Sequence, residues 1–232
     1  MSAEGAREGP VLTLDGPAGS GKSTTAKEVA RRLGLRHLDS GALYRALTYA
    51  LQEEGVPEER WPRLTVEDFR TLGVDLRPTA SGFEVRVKGR ALGDELRTVR
   101  VTDRVALLAR LPAARACLLD LQRSAGSHGR LVADGRDMGT VVFPHADLKI
   151  FLVADLEERA LRRLREAGAG EPTPQAVAEQ VRAIRDRDGI DSARDISPLR
   201  RPDDAVEIDT TGLAFEEQVR QIVERARRLT LS

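Results

Sequence analysis

The run Gly16-Pro17-Ala18-Gly19-Ser20-Gly21-Lys22-Ser23 limits the possible folds of this chain more than any other stretch. It fits the G-x-x-x-x-G-K-[ST] spacing of a phosphate-binding loop, and its flanks are the ones such a loop needs. Val11-Leu12-Thr13-Leu14 ahead of it predicts a short buried strand. Thr24 to Leu33 behind it predicts a helix with Ala26, Val29, Ala30 and Leu33 on one face. A strand that turns through glycines into a helix aims several backbone N–H groups at one anion, and the helix N-terminus adds partial positive charge. Gly16 to Thr24 is therefore the expected seat of the phosphates of a nucleoside triphosphate. Lys22 is expected to reach the β and γ phosphates, and the Ser23 hydroxyl to hold Mg²⁺. The alternative is a glycine-rich turn that binds nothing; eight residues in register, with both flanks correct, weigh against it.

Strands and helices go on alternating along the chain. His37-Leu38-Asp39 reads as a strand that runs into a helix capped by Ser40, and Leu131-Val132-Ala133, Lys149 to Val153 and Ala205 to Asp209 read as three more. Phe215 to Leu229 closes the chain as an amphipathic helix. Five strand–helix alternations predict an α/β fold with a parallel, doubly wound sheet, whose ligands sit beyond the carboxyl ends of the strands. Asp39-Ser40 and Asp134-Gly135-Arg136-Asp137-Met138-Gly139-Thr140 occupy such ends.

Between the first two core strands and the third the pattern changes. Val66 to Leu72 predicts a short helix, followed by short strands at Val74-Asp75-Leu76, Phe83 to Val87 and Arg90-Ala91-Leu92, joined by Ser81-Gly82 and Lys88-Gly89 turns. Val99 to Arg110 reads as one helical run. Pro112 starts the next helix and puts Arg115 in its first turn. Asp155 to Arg165 is an arginine-dense helix on which Arg159, Arg162 and Arg163 share a face. They either converge on one anion or form a solvated face paired with Glu157, Glu158 and Glu166. After a break at Ala167 to Pro172, Thr173 caps a helix begun by Pro174, and spacings of four and three put Arg187, Asp191 and Arg194 on one stripe of it.

The 37 basic and 37 acidic residues cancel, so no overall field favours nucleic acid or an anionic membrane, and any positive site must be built locally. A single cysteine, Cys117, excludes a disulfide within the chain and fits a reducing cytoplasm. Met1 to Gly9 is polar and reads as neither a secretory signal nor a transit peptide, and no apolar run approaches the roughly 20 residues of a membrane span.

Three strings taken together closely resemble the bacterial cytidylate kinases: the loop, Leu38-Asp39-Ser40-Gly41-Ala42-Leu43-Tyr44-Arg45 soon after it, and Ala133-Asp134-Gly135-Arg136-Asp137-Met138-Gly139-Thr140. The R-x-x-x-D-x-x-R spacing of Arg187, Asp191 and Arg194, followed by Ser197-Pro198-Leu199, extends the resemblance to nearly the whole chain. It implies a P-loop NTPase-type three-layer α/β/α fold with a five-stranded parallel sheet. It also implies a core at 10–40, 106–156 and 177–232, a nucleoside-monophosphate-binding insert with a small antiparallel sheet at 41–105, and a lid at 157–176.

The activity implied is phosphorylation of CMP and dCMP by ATP with Mg²⁺, in a cytoplasmic monomer with no nucleic-acid or membrane partner. Carried over residue by residue, Arg45, Arg136 and Arg194 hold the acceptor phosphate. Arg187 and Asp191 hold the ribose, Ser40 and Tyr44 line the acceptor site, and Arg159 and Arg163 close on the triphosphate from the lid. Arg115 and Asp137 read the base: an Arg satisfies the O2 and N3 acceptors of cytosine, and an Asp its exocyclic amine. Uracil inverts the last two groups. The family commonly has Ser nine residues before that arginine. Ala106 stands here instead, so either one hydrogen bond to the base is absent or the local alignment shifts. A kinase of UMP, thymidylate or a small metabolite shares the donor machinery, and a nucleotide-binding interaction module shares the loop. A regulatory GTPase would need an N/T-K-x-D motif after a late strand, which Leu152-Val153-Ala154-Asp155 and Ile208-Asp209-Thr210-Thr211 do not supply.

Overall fold

The computed structural model describes residues 8–168 and 170–229; residues 1–7 of the polar N-terminal stretch, Ala169 in the helix break and 230–232 lie outside the described residues. β1 (Val11–Asp15) runs into α1 (Lys22–Leu33), and β2 (Arg36–Asp39) into α2 (Ser40–Glu53). A 3₁₀ turn and α3 (Val66–Thr71) lead to β3 (Val74–Pro78), β4 (Phe83–Val87) and β5 (Arg90–Ala91). The short helices α4 (Val99–Thr102) and α5 (Val105–Leu108) and then α6 (Pro112–Ala125) return the chain to β6 (Leu131–Gly135). A π-helical turn at Met138–Val142, β7 (Leu148–Val153), α7 (Leu156–Glu166), α8 (Pro174–Ser192), β8 (Val206–Asp209) and α9 (Phe215–Leu229) follow.

The main sheet is parallel throughout, in the order β2-β6-β1-β7-β8. Side chains alternate across a strand, so β1 sends Leu12 and Leu14 to one face and Val11 and Thr13 to the other. Leu12 and Leu14 pack with Ala26, Val29 and Ala30 of α1 and Val219, Ile222 and Val223 of α9. Val11 packs with Leu43 and Leu47 of α2, Leu118 of α6 and Met138. Helices on both faces make the three layers. The order also places β6 between β1 and β2, with Leu14 beside Asp134 and Asp134 beside Asp39. The loops that leave β1, β2 and β6 therefore emerge together.

The second sheet is the antiparallel β3-β4-β5 ladder, inserted between α3 and α4. It docks on the outer edge of β2: the His37 N–H donates to the Ser81 carbonyl at 3.1 Å, and His37 bridges to Gly82.

Four local expectations change. The run 99–110 is two short helices broken at Asp103-Arg104, and its β-branched Val99, Val101, Thr102 and Val105 are weak helix formers. The cap of α2 is Asp39, whose carboxylate accepts the Ala42 N–H at 3.0 Å, so Ser40 is already helical. α1 begins two residues earlier than its apolar stripe indicates, at Lys22. α8 ends at Ser192, so Arg194 lies beyond the helix that carries Arg187 and Asp191. Asp191 and Arg194 meet because the chain turns back there, with the Leu199 N–H bonded to the Asp191 carbonyl at 2.9 Å.

Candidate active site

The loop from Gly16 to Ser23 closes onto α1 through Gly19 and Gly21, both in the left-handed backbone region with φ of 76° and 81°. Side chains rarely adopt that conformation, and a Cβ on Gly19 would also stand 2.9 Å from the Arg159 carbonyl oxygen. Lys22 Nζ folds back to donate to the Pro17 carbonyl at 2.9 Å. Burial holds the Lys22 ammonium well below the usual lysine range, and the Arg136 charge adds to the shift. The Ser20 hydroxyl is buried in the loop with no hydrogen-bond partner among the described residues.

Ser23 Oγ donates to Asp134 Oδ2 at 2.5 Å, across the β1–β6 junction. His37 Nε2 lies 2.7 Å from the other oxygen, Oδ1. Burial works to raise the Asp134 carboxyl, but the hydrogen bonds from His37 and Ser23 and the charge of Lys22 carry it below the usual carboxylate range. An ionised carboxylate only accepts, so the imidazole nitrogen is the donor.

Lys22 and Ser23 form one end of a cleft walled by Ser40, Gly41, Tyr44 and Arg45 of α2, Ala106 of α5, Arg115 of α6 and the loop after β6. Arg163 of α7, Arg187 and Asp191 of α8, and Arg194 complete it. Seven cationic side chains face four carboxylates there, Asp39, Asp134, Asp137 and Asp191. An excess of three positive charges in a partly dry cleft is an electrostatic fit for a polyanion.

Inside it Asp191 accepts from Arg136 Nε at 2.8 Å and from Arg194, and Arg45 pairs with Asp39 at 2.7 Å. Burial would raise Asp191, but Arg136 and Arg194 hold it below the usual carboxylate range. Burial and the neighbouring Arg136 push Arg187 down to about 10. The buried Nε atoms of Arg45, Arg187 and Arg194 have no hydrogen-bond partner among the described residues. Such groups cost free energy until something accepts from them.

At the far end of the cleft Arg115 and Asp137 are bonded to each other, both nearly sealed from solvent. Arg115 also donates to the Ala109 carbonyl, and its Cζ lies 5.5 Å from the centre of the Tyr44 ring. Ser40 Oγ accepts from Gln122 at 2.8 Å. The loop that presents Asp137 is tied to β1, because the buried Asp15 carboxylate accepts the N–H groups of Met138 and Gly139 at 2.9 and 2.8 Å. Burial pushes Asp15 up to about 7 against the lowering effect of those two bonds.

The cleft gathers Lys22, Ser23, Ser40, Tyr44, Arg45, Arg115, Arg136, Asp137, Arg163, Arg187, Asp191 and Arg194. The three arginines of α7 diverge. Arg163 reaches the cleft, while Arg162 turns to Thr210 and Glu158. Arg159 donates to the carbonyls of Ala154 and Ala18 and pairs with Asp188, which also accepts the Ala18 N–H at 2.9 Å. Both polar groups of the Ala18 backbone are thus held by α7 and α8 rather than turned to the cleft. Thr24 faces a wider cleft between α1 and the inserted sheet.

The cytidylate kinase family model matches residues 12–228. The chain belongs to the cytidylate kinase family. It is 42% identical over 212 residues to a cytidylate kinase of Anoxybacillus flavithermus, covering 91% of this chain and 93% of that one. It is 44% identical over 209 residues to a bifunctional pantoate ligase/cytidylate kinase of Synechococcus sp. strain WH7803, covering 89% of this chain but 42% of that protein. The chain thus spans about two fifths of the length of the bifunctional relatives it matches. An uncharacterized protein of Eubacterium ventriosum shares the fold, with a TM-score of 0.50 at 11% identity over 94% of this chain and 98% of its own.

Four residues that organise this cleft have no role predicted from the sequence: Asp134, His37, Asp188 and Asp15. Asp134 had a signal, since an acidic residue ends the core strand whose register lies beside the loop strand. The other three depend on contacts made across the fold.

Proposed function

We propose that this chain transfers the γ-phosphoryl group of ATP to the phosphate of CMP or dCMP, giving CDP or dCDP. The observation that carries the reading is the set of buried guanidinium nitrogens on Arg45, Arg187 and Arg194 that have no hydrogen-bond partner among the described residues, in one cleft with the loop lysine. A nucleoside monophosphate brings its own ionised oxygen, so attack on the γ-phosphorus needs no general base. Alignment, charge neutralisation and exclusion of water suffice. Guanidinium forks match phosphate oxygens two at a time, which suits Arg45, Arg136 and Arg194 to the acceptor phosphate. Arg187 and Asp191 take the ribose, Arg163 the migrating phosphoryl group, and the 41–105 insert and 157–176 lid close over the two nucleotides. Arg159 serves by holding the loop.

The residues also fit Mg²⁺. Ser23 Oγ and Asp134 Oδ2 are hard oxygen donors side by side, next to the loop. Among the described residues no group of three or more His, Cys, Asp or Glu side chains could hold a metal ion by itself, so phosphate oxygens would complete the shell. When bound, Mg²⁺ neutralises charge on the β and γ phosphates.

Base choice rests on Arg115 and Asp137. A guanidinium has five donors and a carboxylate about four acceptor positions, so their mutual bond leaves an edge of each for cytosine. Ala106 lines the cleft without a side-chain donor, which concentrates discrimination on that pair. An ADP-release assay across nucleoside monophosphates should show fastest turnover with CMP or dCMP. Faster turnover of AMP or shikimate would sink the reading. Asp137→Ala should lower kcat/KM for CMP by about 10²-fold or more while ATP affinity stays near wild type, since it leaves Arg115 buried and unpaired at the base edge. Equal losses for both nucleotides would contradict the role.

A further inference from the structure

His37 lies outside the acceptor cleft, yet its imidazole touches the carboxylate beside the donor loop. It comes from β2, the outer strand, which pairs with β6 so that His37 stands opposite Val132. From the other side the turn of the inserted sheet holds the same residue: the His37 N–H donates to the Ser81 carbonyl at 3.1 Å, and a Cβ on Gly82 would stand 2.6 Å from the His37 carbonyl oxygen. The backbone of His37 is pinned between two sheets, and its ring is left to reach Asp134 Oδ1 at 2.7 Å.

Asp134 needs such a restraint. Its carboxylate is buried 2.5 Å from Ser23 Oγ, within the influence of Lys22 and in a cleft where cations outnumber anions. An unrestrained carboxylate there gains more by turning an oxygen to an ammonium or guanidinium than by accepting from a neutral hydroxyl. Occupying Oδ1 with a fixed donor leaves Oδ2 aimed at Ser23. We propose that His37 is a positioning residue for the metal carboxylate, holding Asp134 so that Oδ2 and Ser23 Oγ form a ready pair for the Mg²⁺ of the nucleotide. The assignment rests on the kinase reading above for the identity of the metal. A donor of this kind, one bond removed from the ion, typically governs about 10–100-fold in metal affinity. Because Ser81 and Gly82 hold His37 in place, the inserted sheet takes part in setting the metal site.

Calorimetric titration of a non-hydrolysable ATP analogue, once with Mg²⁺ and once with EDTA, tests this on the whole protein. In His37→Phe and His37→Ala the preference for the Mg²⁺ complex over the metal-free analogue should shrink by about tenfold, and the Mg²⁺ concentration for half-maximal turnover should rise by about 10–100-fold. Affinity in EDTA should hold. His37→Gln, which keeps an N–H donor, should stay near wild type in both. An unchanged Mg²⁺ preference in the Phe and Ala variants, parallel loss of both affinities, or a Gln variant as impaired as Ala would each overturn the assignment. Circular dichroism identifies a variant that fails to fold; the Ala–Gln comparison then decides. The calorimetry uses no acceptor, so a wild-type protein that ignores CMP would overturn the proposed reaction while the metal preference still judged His37.

Discussion

Lys22→Met should lower kcat by about 10²–10³ while the protein remains folded, because phosphoryl transfer depends on charge placed before the reaction begins. Lys22 is buried at the start of α1, hydrogen-bonded to the Pro17 carbonyl, and burial together with Arg136 disfavours its charged form. A triphosphate adds counter-charge to that of the nearby Asp134 carboxylate, which alone does not offset the cost of burial. The same physics predicts the stability. A lysine with a lowered folded pKa binds fewer protons in the native state than in the unfolded one, so its charge opposes folding, most strongly at low pH. The methionine variant should therefore melt at or above the wild-type temperature, with the gain shrinking as pH rises. Single-turnover assays and thermal melts check both halves. A loss of less than tenfold in kcat would remove Lys22 from the proposed role.

The second large effect is expected from Asp191→Ala, first of all on stability. Asp191 is almost wholly buried and neutralises Arg136 and Arg194. Removing it leaves guanidinium groups facing one another in a site of low polarity, a change that typically costs about 3–5 kcal/mol. In a chain of this size that lowers the melting temperature by about 10 °C. The sign of the pH dependence follows from the depressed pKa of Asp191: its contribution is complete above about pH 4, the ordinary carboxylate range, and is lost as pH falls through the lower folded value. Wild type and variant should therefore differ fully at neutral pH and converge in acid. Added CMP should recover part of the loss, since its phosphate supplies negative charge to the same arginines. A gap that stays constant into acid, or a loss below about 1 kcal/mol, would contradict the assigned ion pairs.

How far each part could be read from sequence follows from the distance over which its cause acts. The loop could be read because Gly19, Gly21, Lys22 and Ser23 work through the local backbone and through spacing. Asp39, Ser40, Arg136 and Asp137 could be placed on the ligand rim because a parallel sheet puts strand ends there, wherever the strands lie in the order. Arg159 and Arg163 could not be told apart. They sit on one helix four residues apart, and only the packing of α7 against α8 sends one to Asp188 and the other into the cleft. The helix expected over 99–110 failed for a similar reason, since the spacing of Val101, Val105 and Leu108 fits a continuous helix that the β-branched run does not sustain.

By itself the sequence determined that a glycine loop joins β1 to α1, that helices cover both faces of a parallel sheet, and that basic residues collect at its rim. Periodicity and glycine placement act within a few residues of each other, so they survive in the linear order. The tertiary structure alone decided which charges meet. Placing β6 between β1 and β2 brings Asp134 to Ser23 and to His37, residues 111 and 97 positions away, and the turn after α8 brings Arg194 back to Asp191. Ion pairs and hydrogen bonds act over a few ångströms of space, and the strand order sets those ångströms.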